Sequence, residues 1–81
     1  MKFYVYILLS NSLQKYYVGH TEDVEKRIVQ HNSGKGNFTS KGVPWGKVII
    51  IDCASKRDAI ILENRIKKRG IRRYLQDGFI A

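Results

Sequence analysis

The chain has 81 residues, with 15 Lys and Arg against 7 Asp and Glu and a formal net charge of +8. That length allows one domain (1–81) and one modest core, and a hydrophobic fraction of 43% excludes a disordered tail. The charge favours a polyanionic partner, most often nucleic acid, over a merely solvated basic surface. The lone Cys53 excludes an intrachain disulfide or a cysteine-built zinc cluster and suits a reduced, cytoplasmic setting.

Residues 3–9, Phe-Tyr-Val-Tyr-Ile-Leu-Leu, are aromatic, β-branched or aliphatic throughout and predict a strand buried on both faces. The apolar run is too short to span a membrane and lacks a small-residue cleavage site. Ser10-Asn11-Ser12 is a turn cluster, and Tyr16-Tyr17-Val18-Gly19-His20 predicts a second strand in an antiparallel hairpin with the first.

Thr21 is the expected N-cap of a helix whose first turn carries Glu22, Asp23 and Glu25 and which ends near Asn32. At about 100° per residue, Val24, Arg27, Ile28 and His31 share one face. Residues 33–46 predict a polar, Gly-rich loop carrying Lys35, Lys41, Pro44 and Trp45. Residues 47–53, Lys-Val-Ile-Ile-Ile-Asp-Cys, are the strongest strand signal. Ser55 then caps a helix from about Lys56 to Arg69, with Ala59, Leu62, Glu63 and Ile66 on one face and Gly70 as its stop. A short helix over 71–76 follows. The order β-β-α-β-α-α predicts an α+β fold with a small, mostly antiparallel sheet.

Ionisable groups on core-facing stripes are costly unless paired or functional. Glu63 is therefore either a structural partner of Arg27 or a ligand for a hard cation, since one carboxylate plus waters suits Mg²⁺. Arg27 presents a rigid donor fork that fits a phosphate, or it packs its stem and reaches solvent. His31, one turn beyond Arg27, is either a satisfied core histidine or a proton carrier. Tyr6 and Tyr17 stand on adjacent strands. A phenol titrates near about 10 and acts as a base only where its surroundings help. His20 reads as a strand-end residue without a companion. Gly19, at the end of the second strand, permits close backbone approach. Lys35, Lys41 and Trp45 in the loop, with Lys67 and Arg69 at the end of the long helix, are candidate nucleic-acid contacts. Trp45 is equally suited to plugging the core edge.

Tyr4-Val5-Tyr6, Tyr17-Val18-Gly19, Arg27, His31-Asn32-Ser33-Gly34 and Glu63 together resemble the GIY-YIG nuclease superfamily, over roughly residues 3–69. Tyr4 stands where the first triplet has glycine, and both central isoleucines are valine. The resemblance implies a three-stranded antiparallel sheet flanked by helices and one divalent metal, Mg²⁺ or Mn²⁺, held by Glu63. It further implies Tyr6 as general base, Tyr17 as positioner of water or phosphate, and Arg27 as stabiliser of the transition-state charge. His31 matches a histidine found in part of the superfamily. The expected activity is endonucleolytic hydrolysis of DNA, in repair or processing of structured DNA. Target selection is expected from the basic surface, a protein partner or a fused context. The rival readings are a non-catalytic nucleic-acid-binding module and a nuclease subunit active only with its partner.

Overall fold

A computed structural model describes residues 2–34 and 39–78. Three strands, β1 (Phe3–Ser10), β2 (Lys15–Thr21) and β3 (Trp45–Cys53), form an antiparallel sheet in the order β2-β1-β3. Helix α1 (Val24–Asn32) follows β2, a 3₁₀ turn (Thr39–Gly42) leads into β3, and α2 (Lys56–Arg69) and α3 (Ile71–Gly78) close the chain. This is the expected α+β architecture. Among the described residues no helix is long and apolar enough to cross a membrane.

The central strand is buried on both faces because helices cover both. Val5, Tyr6, Ile7 and Leu8 are all essentially inaccessible. Successive side chains alternate across the sheet. Phe3, Val5 and Ile7 pack with Val18, Ala59, Ile66, Ile71, Tyr74 and Leu75, on the side of α2 and α3. Tyr4, Tyr6 and Leu8 pack with Tyr17, Val24, Ile28, Val43 and Trp45, on the side of α1. Eight-residue α3 serves mainly as a lid on the first of these clusters, through Ile71, Tyr74 and Leu75.

Two helix ends follow the sequence chemistry and one departs from it. Ser55 caps α2 by accepting the Asp58 amide at 3.1 Å, and Gly70 ends it at φ 94°, a conformation that suits glycine. At α1 the cap is Asp23, whose carboxylate accepts the Lys26 amide at 3.0 Å. Thr21, the expected cap, is the last residue of β2, paired with Tyr4. Its hydroxyl instead accepts the Asp23 amide at 3.1 Å and closes the strand-to-helix turn.

Of the two readings of Trp45, the plug of the core edge holds, although the residue lies in a strand and not in the loop. It opens β3 and is only 3% exposed. Its indole N–H donates to the Thr39 carbonyl at 2.7 Å. The Asn32 side chain receives the Trp45 amide at 2.6 Å and donates to the Trp45 carbonyl at 3.2 Å. The end of α1 is thus pinned to the start of β3 by a side chain that imitates a strand's backbone pairing.

Candidate active site

The hairpin register sets Tyr6 opposite Gly19 and Leu8 opposite Tyr17, so both tyrosines point toward α1. The Tyr6 hydroxyl lies 2.9 Å from Nε2 of His31, which α1 brings back over the sheet four residues after Arg27. Tyr17 meets the His31 ring edge-on, with centroids 4.8 Å apart. Both partners of the hydrogen bond are buried, Tyr6 to 1% and His31 to 7% exposure. Gly19 leaves the room this requires. A Cβ there would stand 2.5 Å from the Tyr6 hydroxyl oxygen.

Burial fixes the protonation of this pair. It pushes the Tyr6 phenol well above its ordinary range, the Tyr17 phenol adds to the rise, and Arg27 pulls weakly the other way. Burial, with the Arg27 charge behind it, lowers His31. Tyr6 is therefore a protonated phenol and His31 a neutral imidazole, and Nε2 suits the role of acceptor. Tyr6 is deeply buried, and the ring nitrogen that meets its hydroxyl is Nε2 of His31.

Arg27 shares the helical arc of Val24 and His31, but unlike them it is exposed. It lines an open polar cleft with Thr21, Asp23, Lys26 and Gln30. Among the described residues no carboxylate lies within ion-pair distance of it. The structural pairing of Arg27 with Glu63 is thus not made.

Glu63 lies on the opposite face of the sheet, on α2, with its side chain 13% exposed. His20 Nδ1 reaches Oε1 at 2.6 Å, and Lys67 Nζ reaches Oε2 at 2.8 Å. His20, read from sequence as an uncommitted strand end, is a partner of the candidate metal ligand. An ionised carboxylate can only accept, so Nδ1 carries the hydrogen in this bond. Burial raises the Glu63 carboxyl, but the hydrogen bonds from Lys67 and His20 outweigh it and hold the group below its ordinary value.

The candidate residues therefore form two clusters, Tyr6–Tyr17–His31 under α1 and His20–Glu63–Lys67 under α2. They meet at β2. His20 and Val18 point to one face, Tyr17 and Gly19 to the other, and β2 is the outer strand on that side. Among the described residues no further strand separates the faces there. The charge of Glu63 contributes to the rise of Tyr6, and Tyr17 contributes to a rise at Lys67.

The expected nucleic-acid contacts fare unevenly. Lys35 lies outside the described residues. Lys41 is exposed in the 3₁₀ turn. Trp45 is a core residue and offers no open ring face, because the 3₁₀ turn and Asn32 fold it inward. Lys67 is engaged with Glu63, and Arg69 Nε donates to Asp77 at 2.7 Å, tying α2 to α3.

The family description "GIY-YIG catalytic domain" matches residues 2–74. The chain belongs to the GIY-YIG family. It is 34% identical over 73 residues to the UPF0213 protein YsiG of Lactococcus lactis subsp. lactis (strain IL1403), covering 89% of this chain and 69% of that protein. It is 38% identical over 68 residues to the UPF0213 protein BH0048 of Halalkalibacterium halodurans, covering 83% of this chain and 71% of the relative. The solution NMR structure of BH0048, described as from Bacillus halodurans, superimposes with a TM-score of 0.58 at 36% identity, over 94% of this chain and 81% of that one. This GIY-YIG chain thus shares its fold with the UPF0213 protein BH0048.

The family implies a divalent metal, and the donor set around Glu63 fits one of the hard kind. Each carboxylate oxygen has one protein partner, and an ionised carboxylate offers about four lone-pair sites. The Lys67 ammonium, itself 56% exposed, already places a positive charge on Oε2. Among the described residues no three His, Cys, Asp or Glu side chains gather as a metal cage. One carboxylate completed by waters is a Mg²⁺ or Mn²⁺ arrangement, not a structural zinc site.

Proposed function

We propose that this protein is a metal-dependent endonuclease that hydrolyses phosphodiester bonds in DNA. The observation that carries the reading is the state of Arg27 and Glu63. Among the described residues the arginine has no carboxylate partner, while the glutamate is kept ionised by His20 and Lys67 with lone pairs to spare. A fold that needed the two only for stability would pair them with each other.

Glu63 would hold the Mg²⁺ or Mn²⁺, which when bound would neutralise phosphate charge. Arg27, open to the cleft, would grip a non-bridging phosphate oxygen and oppose the charge that grows in the transition state. Tyr17 positions the phosphate or the attacking water at the β2 edge. The proton of that water leaves along the buried pair. Tyr6 passes its hydroxyl proton to Nε2 of His31 as it accepts the water's proton, so the phenol never carries a lasting charge in its dry setting.

One observation favours a second reading, a nucleic-acid-binding module. Both Glu63 oxygens already have protein partners. The test is cleavage of a panel of single-stranded, duplex, flapped and branched DNA with Mg²⁺ or Mn²⁺, beside Glu63→Ala and a chelator. Cleavage lost in both controls supports the nuclease. Salt-sensitive binding without cleavage, equal in wild type and variant, supports the module.

A further inference from the structure

The positive charge of this chain is concentrated in one place. Residues 56–73 carry eight Lys and Arg against two carboxylates, which accounts for six of the eight net positive charges. On α2 these residues fall into two rows at i, i+4, i+7, i+11 spacing, which follow one another along a helix face. The inner row is Lys56, Ile60, Glu63 and Lys67; the outer row is Arg57, Ile61, Asn64 and Lys68. Each row has a cation at both ends and an exposed isoleucine within it. Ile60 is 38% exposed and Ile61 is 47% exposed. Lys56, Arg57 and Lys68 have no ion-pair partner among the described residues.

We propose that the outward face of α2 is the docking track for a DNA duplex, with Lys56, Arg57 and Lys68 on backbone phosphates and Ile60 and Ile61 against the sugar edges between them. The assignment rests on the nuclease reading only for what the track delivers, a phosphate at Glu63. Charge complementarity decides the occupant. A second copy of so basic a chain would meet this face with like charge, whereas a duplex brings a phosphate about every 3.4 Å along each strand. The ends of each row lie about 16 Å apart at 1.5 Å per residue, a span of about five phosphate steps. Apolar side chains set among cations match a duplex surface, where sugars lie between charged backbones, and apolar side chains commonly enter shallow grooves. Glu63 sits within the inner row, so a strand tracking from Lys56 toward Lys67 passes it. The track replaces the buried Trp45 as the source of substrate contact.

Binding of a labelled 20-base-pair duplex to the full chain, followed by anisotropy in EDTA over a salt series, tests this without any cleavage. Arg57→Ala with Lys68→Ala should weaken binding and lower the slope of log K against log salt by about 2, one per lost phosphate contact. Lys2→Ala with Lys47→Ala, which removes the same charge from β3 and the residue before β1, should leave the slope near the wild-type value. Ile60→Ala with Ile61→Ala should weaken binding several-fold with the slope unchanged. Equal slopes for the α2 pair and wild type, or an equal fall for the strand pair, overturns the track. So does a wild-type dimer in sedimentation that the isoleucine variant dissolves. A nuclease that fails to cut but shows the expected slopes would lose the hydrolase reading and keep the track.

Discussion

Gly19 lies across the hairpin from Tyr6, and the tyrosine hydroxyl occupies the space its missing side chain leaves. Gly19→Ala would put a methyl group 2.5 Å from that oxygen. The central strand cannot move away, because helices load it from both faces, so the phenol must shift off His31. Overpacking of this kind costs about 1–3 kcal/mol. The expected result is a lower melting temperature together with a changed His31 ring resonance in NMR. An unchanged melting temperature and His31 shift would show that the close approach has no consequence.

The Tyr6–His31 pair predicts a dependence of stability on pH. His31 is lowered by burial and by Arg27, while a histidine in the unfolded chain titrates near about 6.5. Above that pH both states hold a neutral ring, and the group contributes nothing. As pH falls through about 6.5 the unfolded chain takes the proton first, so stability falls, and it stops falling once folded His31 protonates at its lower value. Urea unfolding between pH 7.5 and 5 should show this decline. Arg27→Ala removes one lowering influence and should shrink it, whereas a decline of equal size in both proteins would rule Arg27 out as a cause.

Glu63 predicts the opposite of a buried, stranded ion pair. Its partners His20 and Lys67 are 29% and 56% exposed at the side chain. Removing the carboxylate leaves both able to meet water. Glu63→Ala should therefore cost on the order of 1 kcal/mol or less, the range of solvent-screened pairs. The carboxyl is held below its ordinary value, so what it contributes is present above about pH 4.3 and is lost as pH falls through its own folded value. A loss of several kcal/mol at neutral pH would make the residue structural.

The element order, the β1–β2 hairpin, both long helices and the shared face of Val24 and His31 were legible because strand and helix periods bury particular side chains. Three local features were not. Thr21 and Asp23 are both capping residues, and the choice depends on β2 running one pairing further, to Thr21 opposite Tyr4. Trp45 sits in a stretch of polar composition, and its burial comes from Asn32 and Thr39, which the chain brings to it in space. His20 alternates with Gly19 and so had to face α2, but its partner is 43 residues away and became visible only with the topology. The same topology puts Tyr6 and Glu63 on opposite faces, a separation no linear spacing expresses.

His20 supplies a prediction that sequence alone did not offer. A ring N–H donated to a ligating carboxylate holds the latter's orientation, and loss of such a support commonly costs about 10–100-fold in metal affinity. His20→Ala should weaken Mn²⁺ binding in calorimetric titration by that order, and His20→Asn, which keeps a donor near the Nδ1 position, should recover part of it. Equal Mn²⁺ affinity in wild type and His20→Ala, with binding abolished by Glu63→Ala, would leave Glu63 as the ligand and remove His20 from its support.

Asn32 is the most economical tie in the molecule, one side chain serving both backbone groups of Trp45. Asn32→Ala removes two hydrogen bonds at the buried start of β3, at about 0.5–1.5 kcal/mol each. Because Asn32 follows His31 directly, the end of α1 would loosen over the Tyr6 hydroxyl as well. The variant should therefore unfold at lower urea, shift the fluorescence of the single tryptophan to the red, and lose activity through the neighbouring His31. Asn32→Asp keeps the acceptor for the Trp45 amide but cannot donate to its carbonyl, and should fall between the two. A variant with wild-type stability and an unshifted tryptophan would mean that Trp45 is held by the 3₁₀ turn and needs no support from α1.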